Sequence, residues 1–498
     1  MKAAYIGLDV GTSGCKAAVM DERGRLYMSA RREYGFEMPE PGMVELNPQT
    51  VWEAVCKALS EVAGKCCGME LKMMAVSSIG EAVVMTDREG NILRNGITYL
   101  DGRGAWTSSY IREKADEKWL HSHTGVPVNP MYTLNRHLWL RKHQPDLLEK
   151  TEHYFLFGDF ITWKLTGERV IDPSSASRTM LFDAGKLSWS KEVGSRFEIP
   201  VERFSQVEKT GTVVGSLCPE AAGRTGFPET LKVVLGCHDQ CSALLGAGAV
   251  SPGDIMAGEG STESINLIVR KEDFCENLYE KQLCFEPYVI PGQYIVPVGQ
   301  LSHGTSIRWF VENIWRREAE AEKYGKGIYE LAEEECAPDS GEVYFLPYLS
   351  RVKSMDNLNQ ALGVFLGLDV GTKAPQMYRA LLEGLCFESR KNFEIFRELK
   401  FPIRRIAASG GCSRSALFMQ MKADVLDCPV RVLKNPDAGT LGLAMICAVA
   451  DGVYRDYGEA AEASVQFGGE YRPRRDYREK YGRYLAISQA VKDLYKNL

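Results

Sequence analysis

The chain has 498 residues, with 60 lysines and arginines against 66 aspartates and glutamates, so its formal charge is −6. A hydrophobic fraction of 45% with 25% charged residues is ordinary globular composition, which excludes wholesale disorder; the mild acidity excludes a general nucleic-acid binder, and no apolar run reaches the ~18–20 residues that span a bilayer. The segment Met1–Asp9 meets an acid too early for a signal peptide, and the 14 cysteines form no Cys-x-x-Cys pair. Together these features predict a cytoplasmic chain with reduced thiols, no structural zinc, no membrane or nucleic-acid partner, and a homodimer as the default assembly.

At about 100–200 residues per domain the length implies two to four domains. Ala3–Leu8 and Lys16–Met20 read as strands, and Asp21-Glu22-Arg23-Gly24 turns the chain into Arg25–Ala30. Asn47 caps a helix whose first residue is Pro48, with Val51, Trp52, Val55, Leu59 and Val62 at helical spacing. Met73–Ile79 and Val83–Thr86 are further strands, and residues 105–200 read as mainly helical. A second strand-rich unit begins near Leu231: a strand to Gly236, a short helix Gln240–Gly246, and a hairpin Asp254–Glu259 and Ser264–Val269 around Gly260-Ser261-Thr262. A helix from Pro375, a strand Arg404–Ser409 and a helix Ser415–Leu426 follow. Two α/β halves are expected, 1–248 and 249–498.

Gly-Leu-Asp-Val-Gly-Thr occurs twice, at Gly7–Thr12 and Gly367–Thr372. Only the first copy leads into an apolar strand and can arc its backbone amides; the second leads into Lys373-Ala374-Pro375 and a helix, so no nucleotide role is expected for it. In the first copy, Gly11, Thr12 and Ser13 suit phosphate oxygens, and Asp9 at the strand end suits Mg²⁺, a hard ion that keeps much of its water. The bland reading is a hairpin turn with a capping acid. Gly258-Glu259-Gly260-Ser261-Thr262 repeats the chemistry, and Ser409-Gly410-Gly411 offers close backbone approach between a strand and a helix. Asp239, after an apolar strand, is the candidate general base with Gln240 beside it; helix capping is the competing role. His238 reads as a packed residue. The chain has no His-Glu-x-x-His, so no catalytic zinc is expected.

The ordered set of Gly7–Ser13, His238-Asp239-Gln240, Gly260-Ser261-Thr262 and Ser409–Leu426 is similar to the FGGY family of carbohydrate kinases. Asp101-Gly102-Arg103, Ser177–Asp183 and Phe345–Leu349 support it. The resemblance implies an α/β fold of two actin-like ribonuclease-H-type domains facing a cleft, the sugar kinase, heat-shock chaperone and actin superfamily. It implies ATP and Mg²⁺ as cofactors, with Asp239 deprotonating the acceptor hydroxyl and Asp9 and Asp239 near the metal. The nucleotide falls to Gly11, Thr12, Ser13, Lys16, Gly260, Ser261, Thr262, Gly304, Arg308, Gly410, Gly411 and Ser415. The acceptor falls to Gly80, Glu81, Asp101, Arg103, Asp239 and Gln240.

Glycerol kinases carry Arg-Glu where this chain has Gly80-Glu81, and a tyrosine where it has Met131, which argues against glycerol. Asp101-Gly102-Arg103 resembles the xylulose and gluconate branches, although Gly80-Glu81 lacks the Met-His pair of xylulokinases, and Ser350–Ser354 departs from the family's Gly-Glu-Arg-Thr-Pro. The expected activity is phosphorylation of a small sugar or polyol, with a pentulose such as xylulose favoured over gluconate, another sugar alcohol or glycerol. A nucleotide-switch ATPase of the same superfamily and a retired sugar sensor are the readings from other classes.

Overall fold

The computed structural model describes residues 3–66, 68–349, 362–435 and 437–496; the Ser350–Ser354 departure lies outside them. The chain divides into two compact units. One comprises Met1–Pro252, Ile268–Val296 and Asp437–Val465, the other Gly253–Leu267, Pro297–Pro436 and Gln466–Leu498. Neither unit is one continuous stretch, and the first takes in two segments from beyond residue 248.

The first unit is built on a six-stranded sheet of β1 (Ala3–Val10), β2 (Gly14–Met20), β3 (Leu26–Glu33), β4 (Glu70–Ser78), β5 (Val213–Ser216) and β6 (Lys232–His238), in the order β5-β6-β4-β1-β2-β3. β1, β4 and β6 run parallel, β2 is antiparallel to β1, and β3 is antiparallel to β2. A central strand covered on both faces is apolar along its whole length, which explains the run Ala4–Leu8. The helix Pro48–Lys65 covers one face with Val51, Trp52, Val55, Leu59 and Val62 buried. As expected, Asn47 caps it, accepting from the amides of Gln49 and Thr50 at 3.0 and 3.2 Å.

The helix Ala438–Ala450 packs on β1 and on the helix Asp239–Gly246. Its sequence is apolar on nearly every side because nearly every side is buried. The two helices meet backbone to backbone: a Cβ on Gly442 would lie 1.9 Å from the Ser242 carbonyl oxygen, and one on Gly246 would lie 1.8 Å from that of Ala438. Gly442→Val is therefore expected to destabilise the first unit by about 3 kcal/mol, since both obstacles are main chain and cannot swing aside. A lowered urea midpoint at unchanged slope checks this.

Residues 105–200 hold the expected helices, interleaved with two-residue strands such as Phe182–Asp183 and Ser188–Trp189. Tyr132, Leu134, Tyr154 and Phe182 of this segment share a core with Val83, Met85, Ile97 and Phe204.

In the second unit the strands β7 (Asp254–Glu259), β8 (Glu263–Arg270, of which the unit holds the part up to Leu267), β9 (Gln293–Gln300, of which it holds the part from Pro297), β10 (Arg405–Ser409), β11 (Val430–Leu433) and β12 (Phe467–Tyr471) follow the order β9-β8-β7-β10-β11-β12. β7 and β8 form the expected hairpin, and β10 lies parallel to β7 with Gly258 opposite Ser409. The second Gly-Leu-Asp-Val-Gly-Thr copy is an exposed turn after the strand Val364–Leu366. It is closed on itself by Asp369, which accepts from the Gly371 amide and the Thr372 hydroxyl, both at 2.9 Å. The helix Ala374–Glu398 follows at once. Sequence context separates the two identical hexapeptides.

Candidate active site

Strand register sets the chemistry of the first unit. Asp9 of β1 stands opposite Ser77 of β4, and Ser77 stands opposite Cys237 of β6, so Asp9 and Asp239 emerge at the same carboxyl edge, where parallel sheets collect ligands. The Ser77 hydroxyl donates to Asp9 Oδ1 at 2.7 Å. Burial pushes the Asp9 carboxyl up, against the pull of that bond and of Lys16.

Asp239 is the first residue of its helix, after the N-cap His238, and its carboxyl accepts from the Gln240 amide. Its Oδ1 is buried with no hydrogen-bond partner, and the Nε2 of His238 lies 3.2 Å away. Burial first, then the neighbouring Asp9 and Glu81 carboxylates, push its carboxyl up to about 7, partly opposed by the Gln240 amide. His238 is held neutral by burial and by Arg178, and its amide donates to Ser174 Oγ at 3.0 Å.

Glu81 is buried at a left-handed φ of +63°. Its Oε1 accepts from Arg178 Nε at 2.7 Å and also from a terminal nitrogen of the same guanidinium; the other terminal nitrogen bonds Glu286. Glu286 is placed by pairing opposite Ile295. Asp101 accepts from the Val44 amide at 2.7 Å and is gripped by Arg103, which also reaches Glu45 at 2.7 Å. Those two residues are thus engaged with each other and with the loop around Val44.

The β1–β2 hairpin carries Gly11, Thr12 and Ser13 at its tip, braced by the Tyr34 hydroxyl donating to the Gly11 carbonyl at 2.6 Å. Thr12 hydrogen-bonds Tyr99, and Lys16 pairs with Asp437. Asp9 and Asp239 offer hard carboxylate oxygens at one edge, one of them buried without a partner, a donor set that fits Mg²⁺.

The second unit holds a cavity of about 760 Å³. Gly260 and Ser261 of the β7–β8 hairpin line it, with Gly304 and Arg308, and with Gly411 and Ser415 after β10. Ile307, Tyr329, Tyr378, Leu382 and Phe418 supply apolar wall, and Glu330 and Glu333 supply acceptors. Thr262 is exposed on the hairpin. Gly410 lies behind it at φ +114°, where a Cβ would stand 2.6 Å from the Glu259 carbonyl oxygen. Gly304 is required by close approach: its amide donates to the Gly260 carbonyl at 3.1 Å, and a Cβ would sit 2.6 Å from that oxygen. Ser415 caps the helix Ala416–Leu426 and hydrogen-bonds Glu333.

Beneath the hairpin is a buried ion cluster that sequence reading missed. Lys422 bonds both Glu259 and Glu263; His303 Nε2 lies 2.7 Å from Glu259 Oε2, and Ser389 Oγ donates to Glu263 Oε1 at 2.7 Å. Attraction to Lys422 and His303 outweighs burial and holds Glu259 low, while the two carboxylates hold Lys422 high. Glu259, Glu263 and His303 bring ligand atoms within 4.8 Å of one another, but the Lys422 ammonium already bonds both carboxylates. Arg178, Glu286 and Tyr99 were missed for the same reason. Each acts on a partner 87 or more positions away in sequence, and no local spacing shows that.

Residues 4–246 match the N-terminal domain of the FGGY family of carbohydrate kinases and residues 266–450 match its C-terminal domain. The chain belongs to that family, and it is a carbohydrate kinase. It is 25% identical over 496 residues to the xylulose kinase of Bacillus subtilis (strain 168), covering 99% of this chain and 96% of the relative. It is 28% identical over 482 residues to the glycerol kinase of Gloeobacter violaceus, covering 93% and 91%. The crystal structure of gluconate kinase from Lactobacillus acidophilus shares the fold over the full length of both chains, at a TM-score of 0.89 and 21% identity. The actin-like two-domain fold implied by the sequence motifs holds. No helix among the described residues is long and apolar enough to cross a membrane.

Proposed function

We propose that this chain transfers the terminal phosphoryl group of ATP to a hydroxyl of a small sugar or polyol, a pentulose such as xylulose being favoured, with Asp239 as general base. The observation that carries this reading is the buried, unpartnered Asp239 Oδ1 at the carboxyl edge shared with Asp9. A nucleotide switch has no use for such a base. Asp239 takes the hydroxyl proton as the oxygen attacks, and His238, held neutral by burial, does not compete for that proton. The hairpin Gly260-Ser261 with Gly304 and Arg308 is assigned to the phosphates, and the cavity walls of Tyr329, Tyr378 and Ser415 to the nucleoside. Asp9 and Asp239 would hold Mg²⁺, which neutralises phosphate charge when bound.

The acceptor reading of Glu81 rests on its place beside Asp239, whose carboxyl it pushes up. Asp101 and Arg103 are assigned to shaping that wall through their mutual grip. Gln240 is assigned to orienting the acceptor, and Lys16 to the rim of the first hairpin.

Because only ionised Asp239 accepts a proton, kcat/KM for the acceptor is expected to rise with pH through the carboxyl's own range. Burial and its acidic neighbours push that range up to about 7 in the metal-free chain, and bound Mg²⁺ would lower it. Below that range kcat/KM falls about tenfold per pH unit. Initial rates at saturating Mg-ATP across that range check this. An acid limb that persists unchanged in Asp239→Asn would remove Asp239 as the base.

A further inference from the structure

The kinase reading leaves Arg178 without a role, although its surroundings are the most elaborate on the acceptor side. Its stem lies on Gly80, where a Cβ would come within 2.7 Å of Arg178 Cγ, so a side chain at position 80 and Arg178 in this place exclude each other. Its guanidinium is shared between Glu81 and Glu286 and stands 5.1 Å from the centre of the Tyr132 ring. Arg178, Glu81 and Glu286 are all less than a tenth exposed. Glu81 uses one oxygen, Oε1, for both of its bonds to Arg178.

The neighbouring charges close a ledger. Arg94 and Arg103 pair with Glu45, and Arg103 also with Asp101. Arg136 is buried beside Gly104, with the charges of Asp101 and Glu81 nearest among its acidic neighbours, and its three guanidinium nitrogens have no hydrogen-bond acceptor. Four guanidinium groups (Arg94, Arg103, Arg136, Arg178) thus balance four carboxylates (Glu45, Glu81, Asp101, Glu286). Asp9 and Asp239 are surplus. The charges of these eight groups sum to zero, so an anionic acceptor meets no excess of positive charge here, whereas the open oxygen of Glu81 suits a neutral hydroxyl group.

We propose that Arg178, bridging Glu81 and Glu286 over Gly80, selects the acceptor by charge, admitting neutral ketoses or alditols and turning away aldonates. Arg178 is here a positioning residue that fixes Glu81; it rests on the kinase reading above. Like charge across a desolvated contact is strongly disfavoured, and a carboxyl group that must bond a hydroxyl discriminates sharply against a group that cannot donate.

The test is acceptor-dependent ADP release with Mg-ATP, alongside calorimetric titration of the same compounds, using xylulose, ribulose, xylitol and gluconate. Wild-type kcat/KM for one neutral compound is expected to exceed that for gluconate by at least about 100-fold. Glu286→Gln, which keeps the shape and removes one charge, is expected to raise the gluconate-to-neutral ratio by about tenfold. Arg178→Met is expected to raise the acceptor KM with the ATP KM unchanged; Glu286→Gln keeps the test valid if that variant does not fold. Gluconate turnover equal to or above that of every neutral compound, abolished by Arg136→Met, would overturn charge selection and leave the kinase reading standing. If no compound binds or raises ADP release while ATP still binds, the kinase reading falls and takes this inference with it.

Discussion

Asp239→Asn is expected to lower kcat by about 10²–10⁴-fold, the usual cost of losing a positioned base. The substitution is isosteric, so the helix Asp239–Gly246 and its packing on the helix Ala438–Ala450 stay intact, and the nucleoside cavity of the second unit is untouched. Stability should move the other way. The Asp239 carboxyl is pushed up to about 7 in the folded chain, well above an ordinary aspartate. The folded state therefore holds a proton that the unfolded state has lost between about pH 4 and pH 7, and its stability falls as pH rises through that window. Above it, ionised Asp239 stands against Asp9 and Glu81. Asparagine removes that repulsion, so the variant should melt higher than wild type at pH 8 and no higher at pH 4, as scanning calorimetry would show. An inactive variant that is also less stable at pH 8 would mean the residue is structural.

Lys422→Met carries the second large effect. It leaves Glu259 and Glu263 buried with no ammonium between them, and breaking a buried ion cluster by removing one partner typically costs about 3–5 kcal/mol. The cluster holds both ends of the turn Gly260-Ser261-Thr262, because Glu259 ends β7 and Glu263 begins β8. Nucleotide affinity should fall with stability. Adding Glu263→Gln should restore much of the stability, since an amide can bond Ser389 and Gln300 without a charge to match, while the ATP affinity recovers less. Denaturant midpoints beside nucleotide titrations separate the two. Equal stability in wild type and Lys422→Met would show that the cluster contributes nothing to the hairpin.

Much of the scaffold was legible because it is written locally. Asn47-Pro48 announces a helix start by capping chemistry, the apolar run Leu231–Gly236 announces a doubly covered strand, and the turn Gly260-Ser261-Thr262 announces a hairpin. Boundaries shifted where pairing extends a strand past its apolar stretch: β6 runs on to His238 because that residue pairs with Ser78. Context also told the two Gly-Leu-Asp-Val-Gly-Thr copies apart, since a strand follows one and a helix the other. What stayed hidden depends on distance in sequence. Arg178 lies 97 positions from Glu81 and 108 from Glu286, and Lys422 lies 163 from Glu259. Long-range ion pairs leave no periodicity and no spacing. Interleaving of the units is hidden likewise, because nothing in Ile268–Val296 or Asp437–Val465 marks the unit to which it returns.

The central claim is that phosphoryl transfer to a carbon-bound hydroxyl takes place on this chain. The most direct measurement is ³¹P NMR of the full-length protein with Mg-ATP and xylulose, then with each other neutral acceptor. The account predicts a new phosphomonoester signal growing in step with ADP, absent without acceptor and absent in Asp239→Asn. Inorganic phosphate appearing at the same rate with and without every acceptor, and no phosphomonoester, would contradict it and make the chain an ATPase.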